Sequence, residues 1–192
     1  MRASQLTVAQ KIERAKIDIK REYTFFSYLV TNADFVPDGS LPALAGVSAK
    51  GKAYYDPEEV DKLTLNEVRG LTLHETLHLA FKHPWRDYPE HWNPVLVELA
   101  KEMEINGRIN IETDYDLPEG GVIPVEGDNF EFPIDGQILK VENTVSKGFF
   151  DIYKELEKQL KKNKPKGDEP IQAPDGNSDS DDLDGRGKGD RD

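Results

Sequence analysis

The sequence contains no cysteine among its 192 residues, and only two methionines, two tryptophans and four histidines. Without cysteine, the chain cannot form disulfides, thiolate zinc sites or a cysteine nucleophile. It also lacks an apolar run long enough to cross a membrane, and its first eleven residues lack the apolar region of a signal peptide. We therefore expect a cytoplasmic protein with no membrane partner.

Acidic residues outnumber basic ones by 37 to 25, and the formal net charge at pH 7 is −12. No basic surface is indicated, so nucleic acid is not an expected partner. Residues 167–192 hold nine acidic and three basic residues, and this end of the chain is rich in proline, glycine, serine and aspartate. Such a composition is typical of disorder. The sequence predicts a domain over residues 1–162 and a disordered acidic tail over 163–192, a candidate site for a protein partner.

Hydrophobic periodicity predicts an α+β domain that is mainly helical. The predicted elements are, in order, a helix over residues 6–31, a turn-rich stretch over 32–42, two short strands within 44–55, a short helix from Asp56, and helices over 64–83, 94–110 and 143–162, the last capped by Asn143 and Thr144. The segment between residues 111 and 142 predicts irregular structure. The short strands are either a structural hairpin or an edge that holds an extended peptide by backbone pairing.

The strongest chemical signal is the sequence His74-Glu75-Thr76-Leu77-His78 inside an apolar helical segment. Histidines four residues apart share a helix face, with Cβ atoms about 5–6 Å apart, so both imidazoles can bind one metal ion. Zinc is the expected ion, and Glu75 is positioned to act as general base toward a water on it. Thr64 and Glu67 form a capping box that predicts the helix start, and Pro84 predicts its end. Two structural histidines are the alternative, but burying these groups without a shared partner is costly.

A catalytic zinc site needs a third protein ligand, and His₂Glu is one recurring set. Two glutamates of the following helix are candidates. Nineteen residues separate His78 from Glu98, a spacing similar to that of thermolysin-like enzymes, and twenty-three separate it from Glu102. Glu98 and Glu102 are four residues apart and share a helix face, so the spacing alone leaves both open.

Further segments around this motif narrow the interpretation. They are His83, Arg86, Trp92-Asn93, Ala100-Lys101-Glu102-Met103-Glu104-Ile105-Asn106 and Pro118-Glu119-Gly120. Together with the histidine motif they resemble a metallopeptidase-domain family of prokaryotes and their viruses, whose members are often fused to a von Willebrand factor A-like domain. The resemblance extends from the first helix to about residue 162. The chain departs from the family pattern in having glutamate at Glu102, where aspartate is usual, and a longer stretch between Trp92 and Glu102.

The resemblance implies a zincin-like domain with an active-site helix, a second ligand-bearing helix and a small β-hairpin or sheet. It implies zinc bound by His74, His78 and Glu102, with Glu75 as general base, and a peptide or protein substrate. A non-catalytic, zinc-containing binding or regulatory module is the alternative function. Glu75 favours the enzyme, because a structural zinc site needs no base. Tyr153 of the last helix is either an oxyanion donor or, as is commoner at this spacing, a packing residue.

Overall fold

The computed structural model describes residues 6–162 of the chain, and the predicted acidic tail lies outside the described residues. The fold is α+β and mainly helical, as predicted. Its elements are α1 (Val8–Glu22), α2 (Thr24–Asn32), β1 (Asp34–Pro37), β2 (Ala45–Val47), β3 (Lys52–Tyr55), α3 (Pro57–Asp61), α4 (Leu65–Ala80), α5 (Pro94–Glu112), β4 (Phe130–Ile134), β5 (Gln137–Val141) and α6 (Phe149–Lys162). None of the helices within residues 6–162 has the length and apolar composition needed to cross a membrane.

The prediction of one helix over residues 6–31 was wrong, because the chain breaks at Tyr23 into α1 and α2. Tyr23 has φ −129° and ψ 86°, which is not helical. Its ring packs edge-on against Tyr115, with centroids 5.1 Å apart, and its hydroxyl accepts a hydrogen bond from the Asp114 N–H. The break lets both helices reach α4, because Ile19 of α1 and Val30 of α2 are buried in one core cluster.

The predicted strand pair is confirmed as the antiparallel strands β2 and β3. Residues 32–42, predicted to be turn-rich, also contain β1, which pairs in parallel with β3. The strand order β1-β3-β2 makes β2 an edge strand. Pro37 at the end of β1 fits an edge strand, because proline has no N–H to donate to a neighbour.

Helix α4 begins where the capping box predicted, with the side chains of Thr64 and Glu67 bonded to each other's backbone N–H. It ends at Ala80, three residues before the predicted end, because Lys82 adopts a left-handed conformation with φ 62°. The helix is buried on several sides: Leu73 and Leu77 pack in the cluster with α1, α2 and α5, and Val68 packs in another with α1 and β3. The histidine motif therefore lies on a helix fixed by the core.

The second half of the domain forms around α5. Its buried residues, Met103 among them, pack against α6 and the antiparallel hairpin β4–β5. The prediction of irregular structure was wrong for this hairpin. Asp135 and Gly136 both have positive φ at its turn. Asn143, with φ 54°, precedes only a short 3-10 helix (Thr144–Ser146) and makes no side-chain cap hydrogen bond, and α6 begins only at Phe149.

Candidate metal centre and cleft

Three ligand atoms of two helices converge at one point. His74 and His78 of α4 have their Nε2 atoms 3.0 Å apart. The carboxylate of Glu102, on α5, lies 3.2 Å from His78 Nε2 and 3.5 Å from His74 Nε2. The ligand atoms of these three residues all lie within 4.8 Å of one another, which is close enough for them to hold one metal ion.

These separations match the edges of a metal coordination sphere. Two ligands with bonds of about 2.0–2.1 Å at a tetrahedral angle lie about 3.3 Å apart. Two imidazole lone pairs facing each other across 3.0 Å repel unless a cation or proton lies between them. The donor set of two imidazoles and one carboxylate therefore fits a divalent ion that accepts nitrogen and oxygen ligands.

The carboxylate of Glu102 is suited to binding a cation. Burial opposes its ionisation, but the neighbouring His78 and His74 outweigh that effect and lower its pKa to about 2. Glu102 is therefore charged at neutral pH.

Glu98, the other candidate for the third ligand position, points elsewhere. Its side chain is 65% exposed and forms an ion pair of 2.7 Å with Lys101. It borders the same cleft as Glu102 but does not belong to the converging group. His91, the fourth histidine, is exposed and also lies outside that group.

Glu75 is almost completely buried, with 4% of its surface exposed, yet it borders the cleft beside the three ligand atoms. Burial raises its pKa to about 7; the neighbouring His74 lowers the pKa and Glu102 raises it. A carboxyl group with this pKa exchanges protons readily near neutral pH, which suits a general acid or base.

The far side of the His74 ring is held by Asn106. The Asn106 Nδ2 donates to the Val122 carbonyl at 2.8 Å, which orients the amide so that its Oδ1 faces His74 Nδ1 at 2.7 Å. Because Oδ1 only accepts, His74 Nδ1 carries the proton and Nε2 presents a lone pair toward Glu102. Asn106 belongs to the segment of residues 100–106 that resembles the family, but its contact with His74 is not predictable from the spacing of the two residues.

The far side of the His78 ring contacts a second histidine. His78 Nδ1 lies 3.0 Å from His83 Nδ1, and His83 Nε2 lies 3.3 Å from Glu104 Oε2. Glu104 Oε1 accepts from the Phe149 N–H at 3.0 Å. These partners lie 5 and 21 residues apart in sequence. His83 and Glu104 belong to the segments that resemble the metallopeptidase-domain family. Their contact with each other depends on the packing of α4 against α5, so the sequence alone does not predict it.

The cluster opens into a cleft of about 550 Å³. One wall contains residues 43–47, which include the edge strand β2, and a second wall contains residues 117–121. Gly70 of α4 lies against the start of the second wall, since a Cβ atom there would be 2.0 Å from the Asp116 carbonyl oxygen. A cleft of this size with an edge strand beside the ligand atoms can receive an extended peptide.

Tyr153 is a packing residue. It is 1% exposed, and its ring stacks on Trp92 with centroids 3.9 Å apart. Its hydroxyl accepts a hydrogen bond from the Asn93 N–H at 3.1 Å, which satisfies the one polar atom of the ring. Because Tyr153 does not border the cleft, its role as an oxyanion donor has no support.

Comparison with known protein families gives a match over most of the chain. Residues 7–189 match the model of a family described as a "putative metallopeptidase domain". The match includes all six helices and extends beyond residue 162, so the division into domain and tail at that residue stays a prediction. No curated protein and no solved structure matches the chain.

Proposed function

The chain belongs to this metallopeptidase-domain family, and from that premise we propose that it is a zinc peptidase whose site comprises His74, His78, Glu102 and Glu75. The observation that carries the proposal is the convergence of three ligand atoms beside a buried glutamate, within one cleft. We also propose that α4, α5 and β2 correspond to the active-site helix, the ligand-bearing helix and the edge strand of a zincin-like scaffold.

Zinc is the proposed ion, because two imidazoles and one carboxylate are a ligand set that recurs in catalytic zinc sites. When bound, the ion supplies a Lewis acid that polarises a peptide carbonyl and lowers the pKa of a water to about 7. His74 and His78 each direct a lone pair at Nε2 toward the position between them and Glu102. Three protein ligands would leave a bound zinc ion able to accept water or substrate as well.

Glu75 transfers the protons in this proposal. Its carboxylate accepts a proton from the water that attacks the peptide carbonyl, and the resulting carboxylic acid donates that proton to the leaving amine. Its raised pKa of about 7 brings both forms within reach near neutral pH. Burial also limits its access to bulk water, so the proton is retained between the two steps.

The substrate is a peptide bound in extended form. Strand β2 pairs with β3 on one side only, so along its other side its backbone groups are available to a peptide strand. The walls of the cleft also offer apolar contacts, from Leu44, Leu71 and Ile123. Backbone pairing fixes the direction of the peptide, and the apolar residues add affinity for its side chains.

Metal content measured by mass spectrometry tests the site. Purified wild-type protein is expected to hold about one zinc per chain, and His78→Ala and Glu102→Ala are expected to lose it. Glu98→Ala is the matched control, because Glu98 lies one helical turn before Glu102 in the same cleft but outside the ligand group. Zinc lost from Glu98→Ala and kept by Glu102→Ala would contradict the proposed ligand set.

Activity is tested separately, by digestion of a peptide library with zinc-loaded protein. Cleavage by wild type and its absence in Glu75→Gln are expected. A protein that binds zinc in the proposed site but cleaves nothing in either form would contradict the peptidase proposal and favour the zinc-containing binding module.

A further inference from the structure

We propose that His83 and Glu104 are positioning residues that fix the tautomer of His78 and thereby keep its Nε2 lone pair directed at the metal. The inference rests on the proposed function. It concerns the chain of contacts that begins at the Phe149 backbone, passes through Glu104 and His83, and ends at His78. We call these four groups the His78 relay.

The direction of the hydrogen bonds starts from the backbone. The Phe149 N–H can only donate, and Glu104 Oε1 accepts it at 3.0 Å. The other carboxylate oxygen, Oε2, faces His83 Nε2 at 3.3 Å. A carboxylate has no proton to give, so His83 Nε2 carries the proton of this contact.

The position of that proton decides the next contact. A neutral imidazole has one N–H and one lone pair, so a proton on His83 Nε2 leaves a lone pair on His83 Nδ1. His78 Nδ1 lies 3.0 Å away and must donate. The remaining lone pair of His78 is then on Nε2, which lies 3.2 Å from Glu102 and is the atom that the metal needs.

Two members of the His78 relay, His83 and Glu104, have little contact with bulk water, although His83 also borders the cleft. The side chain of His83 is 2% exposed and that of Glu104 is 13% exposed. The ring centroids of Phe81 and Phe149 lie 6.0 and 6.3 Å, respectively, from the centroid of the His83 ring. Water therefore has little access to replace a missing partner, and the carboxylate of Glu104 sets the proton positions of both histidines.

Glu104→Gln changes these protons without changing the shape of the side chain. The Phe149 N–H needs an acceptor, so the amide oxygen turns toward Phe149 and the NH₂ group faces His83 Nε2. His83 Nε2 must then accept and its Nδ1 carries the proton. His78 Nδ1 must accept in turn, which moves its proton to Nε2 and blocks the ligand atom. The opposite amide orientation sets two donors against each other.

The first experiment measures zinc affinity by competition with a chromophoric chelator. Glu104→Gln is expected to weaken binding by about 10–100-fold, the usual effect of removing a partner behind a ligand histidine. Glu98→Gln is the matched control, since it removes the same charge from the same helix and borders the cleft without touching the His78 relay. Equal losses in the two variants would overturn the inference, because the effect would then be one of charge.

The second experiment measures tautomers directly, by long-range ¹H–¹⁵N correlation spectra of the four histidines in the zinc-loaded protein. Wild type is expected to show His83 protonated at Nε2 and His78 protonated at Nδ1. His83 protonated at Nδ1 in wild type would overturn the inference even if Glu104→Gln failed to fold.

The His78→Ala variant distinguishes a failure of the His78 relay from a failure of the proposed metal site. If wild type binds zinc, His78→Ala loses it and Glu104→Gln binds as tightly as wild type, the relay is wrong while the metal site stands. If wild type and His78→Ala bind zinc equally weakly, the proposed function fails and the inference fails with it.

Discussion

The Asp116 carbonyl lies so close to Gly70 that a Cβ atom on the glycine would be 2.0 Å from the carbonyl oxygen. Real atoms do not approach so closely, so this position of α4 accepts no side chain without movement of the backbone opposite. The segment that would move leads directly into residues 117–121, which form one wall of the cleft. The absence of a side chain at one helix position therefore sets how near that wall lies to the histidine motif.

Gly70→Ala is expected to lower the free energy of unfolding by about 1–3 kcal/mol, as overpacking usually does, and to raise KM more than it lowers kcat. Alanine has a higher helix propensity than glycine, so a loss of stability would reflect the displacement of the cleft wall and not a weaker helix. Urea unfolding and steady-state kinetics are the measurements. Gly39→Ala is the control, since a Cβ there meets no atom within 4 Å. Unchanged stability and KM in Gly70→Ala would show that the wall moves freely.

Glu75→Gln is expected to lower kcat by about 10²–10⁴-fold, the usual contribution of a general acid–base group. Zinc content should stay at the wild-type level, because Glu75 is not among the converging ligand atoms. Activity assays and mass spectrometry on the same sample check both parts. If the variant lost its zinc, the role of Glu75 as a base would have to be abandoned.

Asn106→Ala should weaken zinc binding by about 10–100-fold, because His74 loses the partner of its Nδ1 proton. Chelator competition measures this. Asn110→Ala is the matched control: Asn110 lies one turn further along α5 and also donates to a loop carbonyl, that of Gly127, but is remote from the histidines. A similar loss in both variants would point to a general effect on α5.

The buried carboxylate of Asp18 should make the free energy of unfolding depend on pH. Its burial opposes ionisation, but hydrogen bonds from Arg69 and Arg14 outweigh that effect and hold its pKa below the ordinary value. The stabilisation is therefore present above the unfolded-state pKa of about 3.9 and is lost as the pH falls through the lower folded-state pKa.

Asp18→Asn should accordingly reduce the free energy of unfolding by about 1.5–3 kcal/mol at pH 7, the usual contribution of hydrogen bonds to a charged group, with a difference that shrinks below pH 4. Urea unfolding at pH 7, 4 and 3 measures it. Asp34→Asn removes an exposed ion pair with Lys52 and should change little at any pH. A difference between wild type and Asp18→Asn that did not depend on pH would refute the assignment.

Zinc at 100 times its Kd should stabilise the metal-free protein by about 2.7 kcal/mol, which corresponds to a rise in Tm of roughly 5–10 °C for a domain of this size. Thermal unfolding with and without chelator measures the shift. His78→Ala should show no such rise. A rise of equal size in that variant would place the stabilising zinc elsewhere.

The motif helix was predictable because its signals are local. The capping box at Thr64 and the four-residue spacing of His74 and His78 each involve residues within one helical turn, and α4 forms from them as expected. The hairpin β4–β5 also had a local signal, the Asp135-Gly136 pair between two apolar segments, which is a common turn sequence.

Other features depend on contacts between residues that are far apart in the sequence. The break at Tyr23 is stabilised by contacts with Asp114 and Tyr115, which no periodicity in α1 or α2 reveals. The same holds for the His78 relay, because the contact between His83 and Glu104 depends on how α5 crosses α4. The convergence of Glu102 rather than Glu98 on the histidines also depends on that crossing.

The contacts made at the break at Tyr23 affect the order in which the parts of the chain fold. The Tyr23 hydroxyl bonds the Asp114 N–H across 91 residues of sequence, and Tyr115 donates to Glu22 across 93. Closing so long a loop is slow compared with forming a helix. We therefore expect the motif helix to form early in folding and the adjoining cleft wall to settle late, so that a nascent chain carries the histidine pair before it has a substrate channel.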